Sequence, residues 1–203
     1  MPGTNFFTEL GLFVCQEFFS LKSCRELVDE IRCGTHQPAT VVGAFSIGNY
    51  VADNYRRTLC AQISPALSSQ IYAQVLAIKP QLEKHFSLSL TAIEQLEFLQ
   101  YRKGDFFIRH QDCDDDPHKP MRVRIRRVSV TILLNDSDTI TQPGDYSGGS
   151  LNFYGLLQEP LWEKCGFPLH VRAGTLVAFL STTEHEVSVV ERGERHSVAG
   201  WFY

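Results

Sequence analysis

The sequence predicts a mainly β (α+β) fold, in which N-terminal helices pack outside a β-sandwich or barrel. Apolar residues repeat at helical spacing in two segments of the first 95 residues, and from Leu96 onward they repeat at every second position. A run of helices followed by a run of short strands is typical of this class. With 203 residues and 43% hydrophobic content, the chain can bury one full core. We therefore expect one domain over residues 1–203, with helical support over 1–95 and a β core over 96–203.

The first helix is predicted to follow a strand that begins near residue 11. Ser20 is a good N-cap, Ser23 with Glu26 offers a second cap of the Ser-x-x-Glu type, and Gly34 ends the helix. Its apolar stripe comprises Leu21, Cys24, Leu27, Val28 and Ile31. This helix is expected to pack against the core and to have no further role.

The second helix begins at Ser64-Pro65, where proline suits the first turn, and Pro80 should interrupt it. Its apolar stripe comprises Ile71, Val75, Ile78 and Leu82. Residues 34–62, between the two helices, lack periodicity and are predicted to form a loop. The aromatic and arginine content of this loop favours a binding role.

The second half of the chain is predicted to form successive strands separated by turn signals. Turns are indicated at Gln142-Pro-Gly-Asp, Ala173-Gly174 and Glu191-Arg-Gly-Glu. The predicted strands are 96–101, 106–112, 122–135, 150–154, 169–172, 176–180, 186–190 and 197–202. The third of these strands carries four arginines, which favour a solvated edge or, alternatively, an acidic-substrate or partner site. They are Arg122, Arg124, Arg126 and Arg127.

Charge and cysteine content narrow the classes of function. The net charge of −4 is spread along the chain, which argues against bulk nucleic-acid binding. The chain does not open on a basic segment followed by an apolar run, and no stretch reaches transmembrane length, so we expect neither a secretory signal nor a membrane span. The cysteines are scattered without a Cys-x-x-Cys, which suits free thiols in a reducing cytoplasm. They are Cys15, Cys24, Cys33, Cys60, Cys113 and Cys165.

The triplet His110-x-Asp112 is the first candidate for metal binding. Side chains two positions apart along a strand point to the same face, so this imidazole and this carboxylate can hold two adjacent corners of a coordination sphere. His185 follows the predicted strand 176–180 in a polar turn, from which it can reach inward. Two imidazoles and one carboxylate form the facial triad that suits non-haem Fe(II). The alternative is that His185 is an ordinary hydrogen-bonded histidine.

Arg195 and Ser197, at the start of the last predicted strand, are the second candidate. They share one face of the strand, and a guanidinium fork beside a hydroxyl is a carboxylate receptor. His196 lies between them and should face the other way, so it is not expected to bind a metal. Gly148-Gly149 precedes another strand, where the backbone must bend tightly or approach another segment closely.

These motifs occur in an order that resembles the Fe(II)- and 2-oxoglutarate-dependent oxygenases, and within them most of all the prolyl 4-hydroxylase branch. The resemblance extends from about residue 97 to the C-terminus and implies a double-stranded β-helix (jelly-roll) core. The order is Tyr101…His110-x-Asp112…Gly148-Gly149-x-Leu151-x-Phe153…His185…Arg195-x-Ser197…Trp201.

The resemblance also implies roles for individual residues. The implied iron ligands are His110, Asp112 and His185. Arg195 would bind the distal carboxylate of 2-oxoglutarate with support from Ser197, and Tyr101 would hydrogen-bond the co-substrate from the opposite wall. Many relatives carry Lys, Tyr or Thr around this carboxylate, whereas strand 130–135 offers mainly aliphatic side chains. Thr131 is the only hydroxyl nearby, so the second partner of the carboxylate stays open.

The implied activity is hydroxylation of an aliphatic C–H bond, with conversion of 2-oxoglutarate and dioxygen to succinate and carbon dioxide. The implied cofactors are Fe(II), 2-oxoglutarate and dioxygen, and ascorbate stays open as a reductant. The branch favours a prolyl residue of a peptide or protein as the substrate. A free amino acid or small natural product is the alternative, and a non-catalytic jelly-roll binding module is a third hypothesis. Neither a nucleic acid nor a membrane is expected as a partner, and the oligomeric state stays open.

Two polar segments, residues 43–57 and 136–147, are expected to flank the mouth of the iron site. Loops on a rigid scaffold usually carry specificity. Tyr50, Tyr55 and Arg56 are the expected substrate contacts, because an aromatic wall with a cationic group suits a peptide backbone or a carboxylate. The alternative is that these three residues only cap the helix layer.

Overall fold

The computed structural model describes residues 4–42, 49–137, 145–157 and 164–203. The helices in these ranges are α1 (Thr4–Glu9), α2 (Leu21–Cys33), α3 (Pro65–Ala77), α4 (Lys79–Phe86) and α5 (Met121–Arg124). The strands of the first 95 residues are β1 (Phe13–Cys15), β2 (Thr35–Pro38), β3 (Val41–Val42), β4 (Asn49–Tyr50), β5 (Arg56–Arg57) and β6 (Leu59–Gln62). The later strands are β7 (Glu97–Tyr101), β8 (Phe106–His110), β9 (Val128–Leu133), β10 (Ser147–Gly148), β11 (Leu151–Phe153), β12 (Phe167–Pro168), β13 (Leu176–Leu180), β14 (His185–Val187), β15 (Val190–Arg192) and β16 (Arg195–Phe202).

Two antiparallel sheets form the jelly-roll core, as predicted. The larger sheet has the strand order β1-β13-β9-β16-β7-β6-β2, and the smaller sheet has the order β12-β11-β14-β8-β5. Leu99 and Phe179 of the larger sheet share one buried cluster with Phe153 and Val187 of the smaller sheet. The rings of Phe153 and Phe179 meet edge to face with 4.9 Å between their centroids. The core between the sheets is therefore closely packed around these rings.

Helices α2, α3 and α4 cover the other face of the larger sheet. Helix α2 begins after Ser20, whose Oγ accepts a hydrogen bond from the backbone N–H of Ser23 at 3.1 Å, and it ends before Gly34. The predicted interruption near Pro80 is also present, because α3 ends at Ala77 and α4 begins at Lys79. The apolar stripes are buried as predicted at Cys24, Leu27, Val28, Ile31, Ile71, Val75, Ile78 and Leu82, whereas Leu21 is 56% exposed.

The prediction of a loop over residues 34–62 was wrong, because short strands lie within this segment. Strands β2 and β6 extend the larger sheet, β5 forms an edge of the smaller sheet, and β3 pairs with β4. The side chains of edge strand β2 are almost all exposed, so its sequence shows no alternation of apolar and polar residues. The helix α1 was not predicted.

Several strand boundaries also differ from prediction. The predicted strand 186–190 is divided between β14 and β15. Residues 122–135 begin with the short helix α5, which follows Pro120, and the strand starts only at Val128, so the four arginines do not alternate along a strand edge. Residues 169–172 are not a strand, and residues 167–168 pair with β11 instead. Strand β8 ends at His110 rather than at Asp112.

The described ranges contain no helix that is long and apolar enough to cross a membrane. Cys15, Cys24, Cys33, Cys60 and Cys113 are free thiols, as predicted. Along β16, alternation directs Arg195 and Ser197 toward the smaller sheet and places His196 on the helix side, fully buried.

His196 makes the stability of the fold sensitive to acid. Burial lowers the pKa of this histidine to about 4, helped by the nearby cations Arg32 and Arg195 and by His36, while Glu194 acts in the opposite direction. The unfolded chain therefore takes up a proton at a higher pH than the folded chain does. Unfolding free energy is expected to fall as the pH drops from about 6.5 to about 4, by roughly 3 kcal/mol from this residue.

The substitution His196→Leu should flatten this part of the pH profile, because it removes the proton that the unfolded state binds. Chemical unfolding at pH 7.5, 6 and 5 would measure the effect against the unsubstituted protein. An unchanged slope in the variant would show that the acid sensitivity arises elsewhere, for example at His185, whose pKa burial also lowers to about 4.

Candidate metal centre and co-substrate chamber

His110, Asp112 and His185 converge between the two sheets, as predicted. One nitrogen or oxygen of each residue lies within 4.8 Å of the others. The two carboxylate oxygens of Asp112 divide between the histidines, with Oδ1 at 3.5 Å from Nε2 of His110 and Oδ2 at 3.5 Å from Nε2 of His185. The side chains are between 5% and 10% exposed. Two imidazoles and a carboxylate in this arrangement fit a divalent iron ion.

The histidines are positioned by strand pairing and by their own backbone. His110 lies directly opposite His185 in the ladder between β8 and β14. Nδ1 of His110 lies 2.7 Å from the carbonyl oxygen of Ile108, and Nδ1 of His185 lies 2.9 Å from that of Thr183. Because a carbonyl only accepts, each Nδ1 carries the proton, and each Nε2 keeps a lone pair for a metal.

Asp112 lies just beyond the end of β8 and is held by backbone contacts. Its N–H donates to the carbonyl oxygen of Ser181 at 2.9 Å, and the N–H of Cys113 donates to the same oxygen. Ser181 directly follows β13, so this contact links the loop after β8 to the strand that leads toward His185. Arg126 donates to the backbone oxygen of Asp112 at 3.4 Å.

The ionisation states suit metal binding. Burial acts to raise the pKa of the Asp112 carboxyl, but His185, His110 and Arg126 act against burial and outweigh it, so this pKa lies well below its ordinary value. Burial lowers the pKa of His185 to about 4. At neutral pH the site therefore offers an ionised carboxylate beside a neutral imidazole, which are the forms that bind a metal.

Arg195 is buried at the far end of the same chamber. Only 1% of it is exposed, and its Nη1 donates to Oγ of Ser197 at 2.9 Å. Its guanidinium carbon lies 5.1 Å from the centroid of the Tyr101 ring. Nε and Nη2 are buried and have no hydrogen-bond partner among the described residues. Burying a cation with two unpaired donors costs free energy unless an anion accepts hydrogen bonds from them. The site therefore fits a bound carboxylate.

The chamber is the space between the sheets that joins the triad to Arg195. Tyr101, Thr131 and Ser197, which we predicted to contact the co-substrate, all line it. Tyr101 pairs with Arg195 in neighbouring strands of one sheet, so the expectation that it acts from the opposite wall was wrong. The complete lining comprises Arg56, Leu99, Tyr101, Phe107, His110, Asp112, Val130, Thr131, Leu151, His185, Val187, Arg195, Ser197, Ala199 and Trp201.

The glycine pair before β11 allows a close approach beside Arg195, as its position predicted. Gly149 has a φ of +59°, and a Cβ there would lie 2.8 Å from Cγ2 of Val190 and 3.2 Å from Cδ of Arg195. Gly148 has a φ of +70°, and a Cβ would lie 2.2 Å from the carbonyl oxygen of Val189. Only glycine fits this backbone without displacing the arginine.

A second cavity opens on the other side of the triad. This cleft has a volume of about 620 Å³ and shares His110 and Asp112 with the chamber. Tyr50, Tyr55 and Arg56 line it, so the structure brings the three predicted contact residues to the cleft. Tyr50 and Tyr55 are 50% and 36% exposed, whereas Arg56 is only 6% exposed.

The two segments expected to flank the site differ in their placement. Part of the first, residues 43–48, and part of the second, residues 138–144, lie outside the described residues. Residues 50, 55 and 56 of the first segment line the cleft, but the described residues of the second segment line neither cavity.

Three residues near the triad were missed by sequence reasoning. Phe107 stacks on His110, with 3.5 Å between ring centroids and 15° between ring planes. Glu94 accepts hydrogen bonds from Arg126 at 2.7 and 2.8 Å, and Glu97 accepts one from Arg56 at 2.8 Å. These pairs join residues 32 and 41 positions apart, so no local pattern could have indicated them.

Comparison with known proteins agrees with this geometry. A family model described as the 2OG-Fe(II) oxygenase superfamily matches residues 96–203. The chain is similar to a PKHD-type hydroxylase from Picosynechococcus sp., with 31% identity over 140 residues that cover 69% of this chain and 51% of that protein. The chain thus spans about half the length of this curated relative.

Solved structures show the same fold. A prolyl-4-hydroxylase from Pseudomonas putida has a TM-score of 0.69 and 26% identity, over 98% of this chain and 96% of that chain. A prolyl hydroxylase from Trichoplax adhaerens, in complex with a hypoxia inducible factor peptide fragment, has a TM-score of 0.67 and 18% identity. The superposition covers 98% of this chain and 86% of that chain.

Removing or lengthening a side chain of the triad should abolish tight metal binding. We expect His185→Ala and Asp112→Glu each to weaken Fe(II) binding more than about 100-fold. Loss of a residue that only orients a metal ligand weakens metal binding by at most about 100-fold, so a larger effect indicates loss of a ligand. The longer glutamate should fail because one methylene displaces the carboxylate from a site that tolerates small errors only. Anaerobic equilibrium dialysis would measure bound iron, with circular dichroism to verify folding. His118→Ala, at an exposed histidine of the following loop, is the control; a triad variant that matched it would contradict the assignment.

Proposed function

Because the chain belongs to the 2OG-Fe(II) oxygenase superfamily, we propose that it is a 2-oxoglutarate-dependent dioxygenase that hydroxylates a prolyl residue of a peptide or protein. Enzymes of this family use Fe(II), 2-oxoglutarate and dioxygen. The observation that carries the proposal is the chamber itself. Its lining includes both the buried triad and the guanidinium of Arg195, two of whose donors have no partner among the described residues.

His110, Asp112 and His185 would hold the iron in this proposal. Bound Fe(II) supplies the redox chemistry that couples conversion of 2-oxoglutarate and dioxygen to succinate and carbon dioxide with insertion of the second oxygen atom into a C–H bond. The protein contributes geometry and a dry environment. Leu99, Leu151 and Val187 form apolar parts of the chamber wall and help to exclude water.

Arg195 would bind and orient the co-substrate. Its two unpaired donors match a carboxylate, and Ser197 fixes the guanidinium through Nη1. With the distal carboxylate held there, the opposite end of 2-oxoglutarate is directed toward the triad. Thr131 and Tyr101 are the remaining polar side chains that we assign to this end of the chamber.

The charges of the cleft favour a peptidyl substrate over a free amino acid. Arg56 and Arg126 are paired with Glu97 and Glu94. Lys119 lies 3.6 Å from a carboxylate oxygen of Asp114 and donates to the backbone oxygen of Val42 at 3.0 Å. A free α-carboxylate would have to compete with these protein partners for Arg56, Arg126 or Lys119. A prolyl residue within a chain carries no such charge, and the half-exposed Tyr50 and Tyr55 offer it an apolar wall.

A cytoplasmic location is part of this proposal, and the free thiols of Cys15, Cys24, Cys33, Cys60 and Cys113 support it. The partner that we propose is the peptide or protein substrate.

The function can be tested by offering the iron-loaded enzyme two matched sets of substrates. One set contains proline-bearing peptides that are blocked at both ends, and the other contains free proline and related free amino acids. We expect mass spectrometry to detect the gain of one oxygen in a peptide, with stoichiometric succinate, and no gain in the free amino acids. Hydroxylation of free amino acids alone would show that the substrate is a small molecule and not a peptide. Failure to form succinate with any substrate, or without one, would contradict the dioxygenase assignment.

Arg195→Ala should weaken 2-oxoglutarate binding and leave the metal in place. Loss of a charge-assisted fork costs about 2–4 kcal/mol when the partner carboxylate is left buried and unpaired. Ser197→Ala should cost about 0.5–1.5 kcal/mol, the usual range for one hydrogen bond. Isothermal titration of 2-oxoglutarate into the Mn(II)-loaded protein would measure both effects. Equal affinity of Arg195→Ala and of the unsubstituted protein for 2-oxoglutarate would contradict the assignment of the carboxylate site.

A further inference from the structure

Arg56 occupies a position between the chamber and the cleft, and it lines both. Its Nη2 donates to Oε2 of Glu97 at 2.8 Å, and its Nη1 donates to the carbonyl oxygen of Thr40 at 3.2 Å. The residue is 6% exposed. Two of its three nitrogens are therefore committed to protein acceptors, and the third, Nε, is buried with no hydrogen-bond partner among the described residues. The guanidinium thus has little exposed surface with which to contact a substrate in the cleft.

The third contact of Arg56 leads to the triad. Its guanidinium carbon lies 4.9 Å from the centroid of the Phe107 ring, within the range of a cation–π interaction. Phe107 in turn stacks on the imidazole of His110, nearly parallel to it. Glu97, Arg56, Phe107 and His110 thus form a continuous series of contacts, which we call the Arg56 series.

A β-bulge brings Phe107 and His110 together. In the ladder between β8 and β14, Val187 pairs with Phe107 and His185 pairs with His110. Two steps along β14 therefore face three steps along β8, so one extra residue is accommodated in β8. Without this irregularity, residues 107 and 110 would point to opposite faces of the strand and could not stack.

We propose that Arg56 is a positioning residue for the metal site, and that it fixes the orientation of His110 through the ring of Phe107. The hydrogen bond from Nδ1 to Ile108 anchors one edge of the imidazole, and the Phe107 ring restrains its face. Arg56, held by Glu97 and Thr40, keeps the Phe107 ring in place. This inference rests on the proposed iron site and replaces the expectation that Arg56 contacts the substrate.

The next residue along the strand supplies a matched control. Arg57 lies over the ring of Phe106 at 5.2 Å, in the same cross-strand relation that Arg56 has to Phe107. Arg57 is exposed, and neither Arg57 nor Phe106 lines the chamber or the cleft. The two arginines therefore make the same type of contact, but only Arg56 connects to a triad residue.

The test compares Arg56→Gln with Arg57→Gln in the Co(II)-substituted protein. The visible d–d absorption of Co(II) reports the coordination geometry without requiring turnover. We expect Arg56→Gln to change this spectrum and to weaken Co(II) binding about 10- to 100-fold, the usual effect of losing a group that orients a ligand. Arg57→Gln should match the unsubstituted protein in both measurements. Arg56→Lys keeps the positive charge but not the forked guanidinium. Its effect on the spectrum and on Co(II) affinity should be smaller than that of Arg56→Gln and larger than that of Arg57→Gln.

Phe107→Leu provides a second variant that keeps the pair of Arg56 and Glu97. It should reproduce the altered spectrum, and it decides the question if Arg56→Gln fails to fold. A folded Arg56→Gln protein with the unsubstituted spectrum and affinity would overturn the inference, as would an unaffected Phe107→Leu protein. His110→Ala is measured alongside. If the unsubstituted protein and His110→Ala bind Co(II) alike, the proposed iron site itself is wrong, which is a different result from failure of the Arg56 series alone.

Discussion

The pairing of β8 with β14 is the constraint on which the site depends. This ladder sets His110 directly opposite His185, and its bulge turns Phe107 onto the same face as His110. Asp112 then needs only a short extension beyond the strand to reach both imidazoles, and the carbonyl of Ser181 holds it there. A ladder of backbone hydrogen bonds thus determines most of the triad geometry before any metal is bound, which is what preorganisation requires.

The remaining features follow from burying charge beside that ladder. Asp112 and Arg195 line the same chamber, and Arg195 keeps two donors without a partner among the described residues. Around them, Arg56 and Arg126 are neutralised by Glu97 and Glu94. Such pairs are costly to desolvate and contribute less to stability than to geometry. Arg56 and Arg126 are thus paired within the protein, whereas Arg195 keeps unpaired donors that fit the carboxylate of the proposed co-substrate.

Much of this arrangement could be predicted from the sequence, because the informative signals are local. Alternation placed Arg195 and Ser197 on one face and His196 on the other, and Gly148-Gly149 marked a close backbone approach. The failures were non-local. Edge strand β2 shows no alternation because most of its side chains are exposed, and the bulge in β8 depends on its partner strand. The pairs of Arg56 and Arg126 join distant segments, so their roles could be recognised only from the fold.

The central claim is that one chamber binds Fe(II) through the triad and 2-oxoglutarate beside it. Anaerobic addition of 2-oxoglutarate to the Fe(II)-loaded protein, followed by visible spectroscopy, tests this claim most directly. A co-substrate that chelates the iron gives a metal-to-ligand charge-transfer band, whereas one that binds elsewhere gives none. We expect the band to appear and to saturate at one equivalent of 2-oxoglutarate per iron. Tight binding of both Fe(II) and 2-oxoglutarate without the band would contradict the account.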